Sequence, residues 1–408
     1  MNGRKKVLFY LVFGVAVAAC ATMFFNHRRK ASIKSAADAC AAGGQTAAAS
    51  CDAAIRLDPA NTLIYTLGRA AANASIGKNA EAASDYGRAA AMQGKTPAAA
   101  GTWLAIGKLK GAAEDGAGAI AAFTQAIALN PKLVPAFSGR AASYAASGNA
   151  EAAVRDFGAA LLLNSSDTVS LNGRAAVYLN AGLLTEAVND ASAAIAVAPA
   201  APDAYVTRAM AYQGLGRWQE SVKDCSRIIE LSPSPAAFSC RAEASFMLKD
   251  YRQAVADYTQ AVTLDAGSPE PYISRGVALR SDGQYDKSLA DFNKAQELNP
   301  DIQNIYFERA LSSLCLNDLK SAEADLDKAA SFEETQPRFH VVKAALVYAK
   351  SRGRDKAGAM AELRAAHSLG GPDALACITN PSDAGRFLAP LARNREVAQL
   401  LSPVQKPK

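Results

Sequence analysis

The sequence predicts an all-α chain, a solenoid of antiparallel helix pairs behind an N-terminal transmembrane helix. Three observations carry this. A self-similar unit recurs about every 34 residues, and a period in that range marks stacked supersecondary units. An arginine column (Arg69, Arg140, Arg174, Arg208, Arg241, Arg275, Arg309) keeps that spacing, with one double step whose vacant place falls at Ile106. Nineteen residues without a charge, Val7 to Phe25, lie between Arg4-Lys5-Lys6 and Arg28-Arg29-Lys30.

Taken in order, residues 1–30 come first. As a helix, the run Val7 to Phe25 spans roughly 28 Å, close to the hydrocarbon thickness of a bilayer. Three readings fit it: a retained signal anchor, a secretory signal peptide, or a lipoprotein signal cut at Val17-Ala18-Ala19-Cys20, with Cys20 lipidated. The anchor is preferred, because the apolar run continues through Met23-Phe24-Phe25 to a basic cluster. It places the chain on a membrane in a single pass. A short basic N-terminus before one early helix stays in the cytoplasm, which puts the solenoid on the periplasmic side.

Residues 31–61 form a degenerate first repeat, with Lys34 and Ser50 at the places that later hold arginine and aspartate. An end repeat packs on one side only, so its pattern is relaxed. Residues 62–334 hold eight repeats. Eight residues after each arginine comes a turn residue (Gly77, Gly148, Gly182, Gly216, Lys249, Gly283, Asn317), and glycine and asparagine tolerate the left-handed conformation that ends a helix. Thirteen residues after it the side chain is small (Ala82, Ala153, Ala187, Ser221, Ala254, Ser288, Ala322), as close helix contact requires. Pro59, Pro131, Pro199, Pro233 and Pro300 close units, since proline cannot continue a helix. Residues 335–370 are a degenerate last repeat, and residues 371–408 supply short capping helices and a tail.

Sixteen residues after every arginine stands an aspartate: Asp85, Asp156, Asp190, Asp224, Asp257, Asp291 and Asp325. Where Ile106 replaces the arginine, Ala122 replaces the aspartate. The turn lies midway, so the two charges sit at equal height on antiparallel helices, where a guanidinium reaches a carboxylate. The reading is a structural pair that fixes register within a hairpin or between neighbours.

The aromatic column early in the first helix (Tyr65, Trp103, Phe137, Tyr205, Phe238, Tyr272, Tyr306), with the small residues, the turn glycine and the closing proline, resembles the tetratricopeptide repeat family. The resemblance covers most of residues 31–370 and implies a superhelix whose first helices line an inner, partner-binding face. Carried onto this sequence, that face comprises Asn172, Leu179, Val206, Met210, Gln213, Glu243, Phe246, Met247, Ile273, Arg280, Phe307 and Leu311. Family members that bind chaperones grip a terminal carboxylate with lysines and asparagines there. Small or apolar residues at those places argue against that ligand, and an amphipathic helix or extended apolar segment suits the strip better.

No chemistry assembles in the sequence. His27, His340 and His367 are far apart, and no phosphate loop, His-Glu signature or Cys-x-x-Cys pair occurs, so neither enzyme activity, cofactor, metal nor small-molecule substrate is expected. The six basic residues of the first thirty account for the net charge of +6, and the remainder is neutral, which argues against a nucleic-acid partner. Cys225 and Cys240 lie about equally far from the break at Ser232-Pro233-Ser234-Pro235 and are the candidate disulfide. Cys40 and Cys51 are poorer partners, because their distances from the intervening turn differ. The expected function is a membrane-tethered scaffold that assembles or recruits an envelope complex through a protein or peptide partner; the alternative is an accessory subunit of a secretion, pilus or cell-envelope enzyme system.

Overall fold

An alanine or serine at the thirteenth place after each arginine lets two helices approach almost to backbone contact, and every member of that column is essentially without solvent exposure. The result is a series of antiparallel helix pairs. The computed structural model describes residues 26–43, 46–302, 304–371, 375, 385–391 and 395–400, and among these there is no strand.

The chain divides into two compact units, Met1–Pro199 and Ala200–Lys408. In the first, α1 (residues 26–41) pairs with α2 (Ala47–Leu57), followed by α3 (Thr62–Ser75) with α4 (Asn79–Gln93), α5 (Ala99–Ala112) with α6 (Gly116–Leu129), α7 (Val134–Ala146) with α8 (Ala150–Leu163), and α9 (Thr168–Asn180) with α10 (Leu184–Val197). In the second, α11 (Pro202–Gly214) pairs with α12 (Trp218–Leu231), α13 (Pro235–Met247) with α14 (Tyr251–Leu264), α15 (Pro269–Ser281) with α16 (Tyr285–Leu298), α17 (Ile305–Cys315) with α18 (Leu319–Glu333), and α19 (Pro337–Lys350) with α20 (Lys356–Gly370). Two short helices, α21 (Gly385–Leu388) and α22 (Arg395–Leu400), end it.

The helix boundaries follow from local chemistry. Proline stands in the first turn of α7, α11, α13, α15 and α19, where its missing N–H costs nothing. Aspartate or asparagine side chains accept from the first-turn N–H groups of α6, α8, α9, α14, α18 and α20. Between paired helices the turn residue is left-handed: five glycines take φ of 70–79°, and Lys249 and Asn317 take 63° and 61°. Glu114, at the same place in the unit without an arginine, takes 59°. A lysine or glutamate there carries a steric cost that glycine avoids.

A second packing rule joins successive pairs. In the first unit the Phe123 ring of α6 fills the space beside Gly107 and Gly139, and the Phe157 ring of α8 lies against Gly173; a Cβ at any of these glycines would collide with the ring. The ring stands seventeen residues after the arginine place; Gly139 and Gly173 belong to the next pair, and Gly107 to the ring's own pair. In the second unit the largest cluster joins Phe307, Leu311, Leu326, Phe339, Leu346 and Leu363 to Leu375, Leu388, Leu391 and Val397, so the terminal segments seal the last apolar face.

The single-pass membrane placement with periplasmic repeats is corrected. Among the described residues no helix is long and apolar enough to cross a membrane. Arg28-Arg29-Lys30, read above as the membrane boundary, lies inside α1, where Arg29 donates to the Leu57 carbonyl. The apolar run Val7 to Phe25 and Cys20 lie outside the described residues.

Candidate interaction surface

All seven arginine–aspartate pairs form as two parallel hydrogen bonds, Nε to Oδ2 and Nη2 to Oδ1. They measure 2.8 and 2.7 Å for Arg208–Asp224, 2.8 and 2.7 Å for Arg241–Asp257, and 2.7 and 2.8 Å for Arg275–Asp291. Each aspartate is buried and each arginine mostly so. Hydrogen bonding to the aspartate holds these guanidiniums above the ordinary arginine range, and burial opposes it only in part.

The remaining nitrogen reaches back to the preceding pair, a contact that sequence spacing does not reveal. Arg140 Nη1 donates to Thr124 at 3.1 Å, Arg241 Nη1 to Ser226 at 3.2 Å, and Arg309 Nη1 to Asn293 at 3.0 Å and Gln296 at 2.6 Å. Arg69 pairs with Asp52 in the same way. One arginine therefore fixes register inside its own pair and against the pair before. The backward partners sit thirteen to seventeen residues upstream, but as threonine, serine, asparagine, glutamine or aspartate they form no single-letter column.

The residues assigned to an inner face separate into exposed and buried groups. Val206 and Met210 on α11 are exposed, as are Glu243 and Met247 on α13, with Met210 and Met247 about half open to solvent. Gln213 is half-buried, and its Nε2 donates to the Cys240 carbonyl at 3.3 Å. Phe246 is half-buried against Ala242 and Tyr258 and tilts onto Tyr251, so it belongs to the core as much as to the surface. Ile273 packs on the cluster of Tyr272 and Phe292. Arg280, Phe307 and Leu311 are buried outright. Asn172 and Leu179, on α9 of the first unit, are half-buried, and Asn172 Oδ1 has no hydrogen-bond partner among the described residues.

The Gln213 bond shows how the exposed group is assembled. Met210 and Gln213 are three apart on α11; Cys240, Glu243 and Met247 follow at i, i+3 and i+7 on α13. Such spacings put side chains on one helical face. The Gln213–Cys240 contact joins the two rows into a strip of two methionines with a carboxylate between them. No ion pair to Glu243 occurs among the described residues.

The sulfur chemistry was only partly legible. Cys225 on α12 and Cys240 on α13 are joined as a disulfide, with Cα atoms 5.9 Å apart. Cys40 and Cys51 are also joined, Cα atoms 4.7 Å apart, which corrects their dismissal above. Equal distance from the turn presumes helices in step, whereas Cys40 in the last turn of α1 meets Cys51 in the second turn of α2. The missed signal was the column: Cys51 follows Lys34 by seventeen and Cys225 follows Arg208 by seventeen, the place of Phe123 and Phe157. Among the described residues no group of three or more histidine, cysteine, aspartate or glutamate side chains is placed to hold a metal.

Comparison with known proteins agrees with this architecture. Family models described as tetratricopeptide repeat match residues 172–236 and 269–302. A protein SGT1 homolog of Oryza sativa subsp. japonica is 32% identical over 99 residues, 24% of this chain and 27% of the relative. The Hsp70-Hsp90 organizing protein of Triticum aestivum is 31% identical over 135 residues, 33% of this chain and 22% of the relative. The chain thus spans about a quarter of the length of these curated relatives. A tetratricopeptide repeat protein from Parabacteroides merdae superposes with a TM-score of 0.46 at 19% identity, covering 61% of this chain and 98% of that one. Both family matches fall on helix pairs that carry the arginine–aspartate column, and over residues 172–236 and 269–302 the chain carries tetratricopeptide repeats.

Proposed function

We propose that the chain is a protein-interaction scaffold that receives an amphipathic helix of a partner protein on the strip Val206, Met210, Gln213, Glu243 and Met247. The observation that carries this is the pair of half-exposed methionines flanking an unpaired carboxylate. Methionine is adaptable and takes varied apolar side chains, and a helix laid on such a surface anchors through residues at i, i+3 and i+4. Glu243 adds a demand for a lysine or arginine in the middle of that helix. The wheat relative, whose name describes the organisation of Hsp70 and Hsp90, is in line with a protein-binding role.

The test is selection from a library of random helical peptides on the wild-type protein, with the Met210→Asp/Met247→Asp variant for counter-selection. Enriched peptides should share an apolar stripe with a central cation. Each should bind the double variant at least about tenfold more weakly, as loss of a buried side chain at an interface centre implies. Peptides that bind both proteins equally, or that carry an acidic centre, would place the site elsewhere.

A further inference from the structure

The Cys225–Cys240 bond lies directly behind the strip, and no role has yet been given to it. At other junctions a ring from one pair seats against a glycine of the next: Phe123 against Gly139, Phe157 against Gly173. In the same register the α12–α13 junction has two short side chains, Cys225 and Cys240. Neither can fill that space as a ring does. The covalent bond does the work of the ring, holding the first helix of one pair against the second helix of the pair before.

Cys240 is also the residue whose carbonyl accepts from Gln213, at 3.3 Å and so at the long end of the hydrogen-bond range. Two thiols in non-bonded contact stand farther apart than two bonded sulfurs. Reduction removes the covalent tie between α12 and α13, and the Gln213 bond, already long, is the polar contact that an outward movement of α13 breaks. The Met210 row on α11 then separates from the Glu243 and Met247 row on α13.

We infer that the Cys225–Cys240 pair is a thiol–disulfide control on the strip: oxidised, it presents one continuous face to an amphipathic helix; reduced, it presents two uncoupled rows. This rests on the reading under Proposed function. The chemistry is an exchange with a dithiol. The Cys225–Cys240 bond breaks, its sulfurs take two electrons and two protons, and the dithiol closes to its own disulfide.

The experiment measures binding of one library-selected helical peptide, and amide hydrogen exchange over α11 to α13, on the full chain with and without dithiothreitol. Cys225→Ser is the form that cannot close, and Cys225→Phe/Cys240→Gly installs the ring-on-glycine packing of the α6–α7 and α8–α9 junctions. Reduction of the wild type should weaken the peptide about tenfold, within the usual span of coupling between two sites. It should also speed exchange in α13. Cys225→Ser should match the reduced protein at all times, and Cys225→Phe/Cys240→Gly should bind tightly whether or not reductant is present. The last variant also separates this junction from Cys40–Cys51, which the same reagent opens. Equal binding by oxidised and reduced wild type, with Met210→Asp/Met247→Asp still impaired, would overturn the control and leave the strip intact. Equal binding by all forms, the methionine variant included, would overturn the strip and the control together.

Discussion

Within the second unit, the first helices of successive pairs follow one sequence register and meet different fates. On α11 and α13, Met210 and Met247 stand about half exposed. On α15 and α17, Arg280, Phe307 and Leu311 are buried. Arg280 reaches Glu308 at 2.9 Å, Arg338 of α19 stacks over Phe307 with its guanidinium carbon 4.5 Å from the ring centre, and Phe307 joins a cluster that extends to Leu388 and Val397. The register is the same; what lies on top of it is not. A column that one stretch leaves open to solvent is used by the other as core, so family position alone does not define an exposed face.

The contrast can be broken at several points. Phe307→Ala should cost about 3–5 kcal/mol in urea unfolding, as a buried aromatic truncation does, whereas Met210→Ala should cost under about 1 kcal/mol. Equal costs would mean that the two stretches are covered alike. Next in size, Glu308→Ala leaves Arg280 buried without its carboxylate and should cost about 3 kcal/mol; Asp257→Ala strands Arg241 with a similar loss. The exposed pair Arg227–Glu230 is the control, and Glu230→Ala should leave the melting temperature almost unchanged.

Tyr258 links the two regions through pH. Burial, helped by the charge of Glu243, pushes its phenol from 10.0 up to about 12. A group whose pKa is raised in the folded state contributes stability that is complete below its unfolded value and is lost as pH rises through the folded one. Between pH 10 and 12 the wild type should therefore lose roughly 2–3 kcal/mol more than Tyr258→Phe. Matching pH profiles for the two proteins would show that the ring is not held as described. The smallest effect expected is a gain: Lys249→Gly relieves a left-handed lysine and should add about 1 kcal/mol.

Much of this was legible in one dimension, and particular residues show where legibility stops. The distance of sixteen from Arg241 to Asp257 spans a single hairpin, so the pair could be read from spacing. The distance back to Ser226 is nearly the same, but hydroxyl, amide and carboxylate all serve as acceptors there, and a column with mixed letters does not announce itself. Cys225 and Cys240 flank a short break symmetrically and stood out. Cys40 and Cys51 did not, because α1 and α2 are out of step by roughly one helical turn. Phe246 was taken as surface, yet it packs on Tyr258 and Tyr251.

By itself the sequence determined the helix pairs, their turns and the arginine–aspartate column, because each depends on spacings within one repeat that local backbone geometry enforces. Only the tertiary structure decided which members of the inner column remain open, since burial of Phe307 depends on Arg338 and Phe339 and on Leu388 far along the chain. It likewise decided that Gln213 meets Cys240 and that one strip forms from two helices. A repeat encodes its own hairpin. What covers that hairpin belongs to its neighbours.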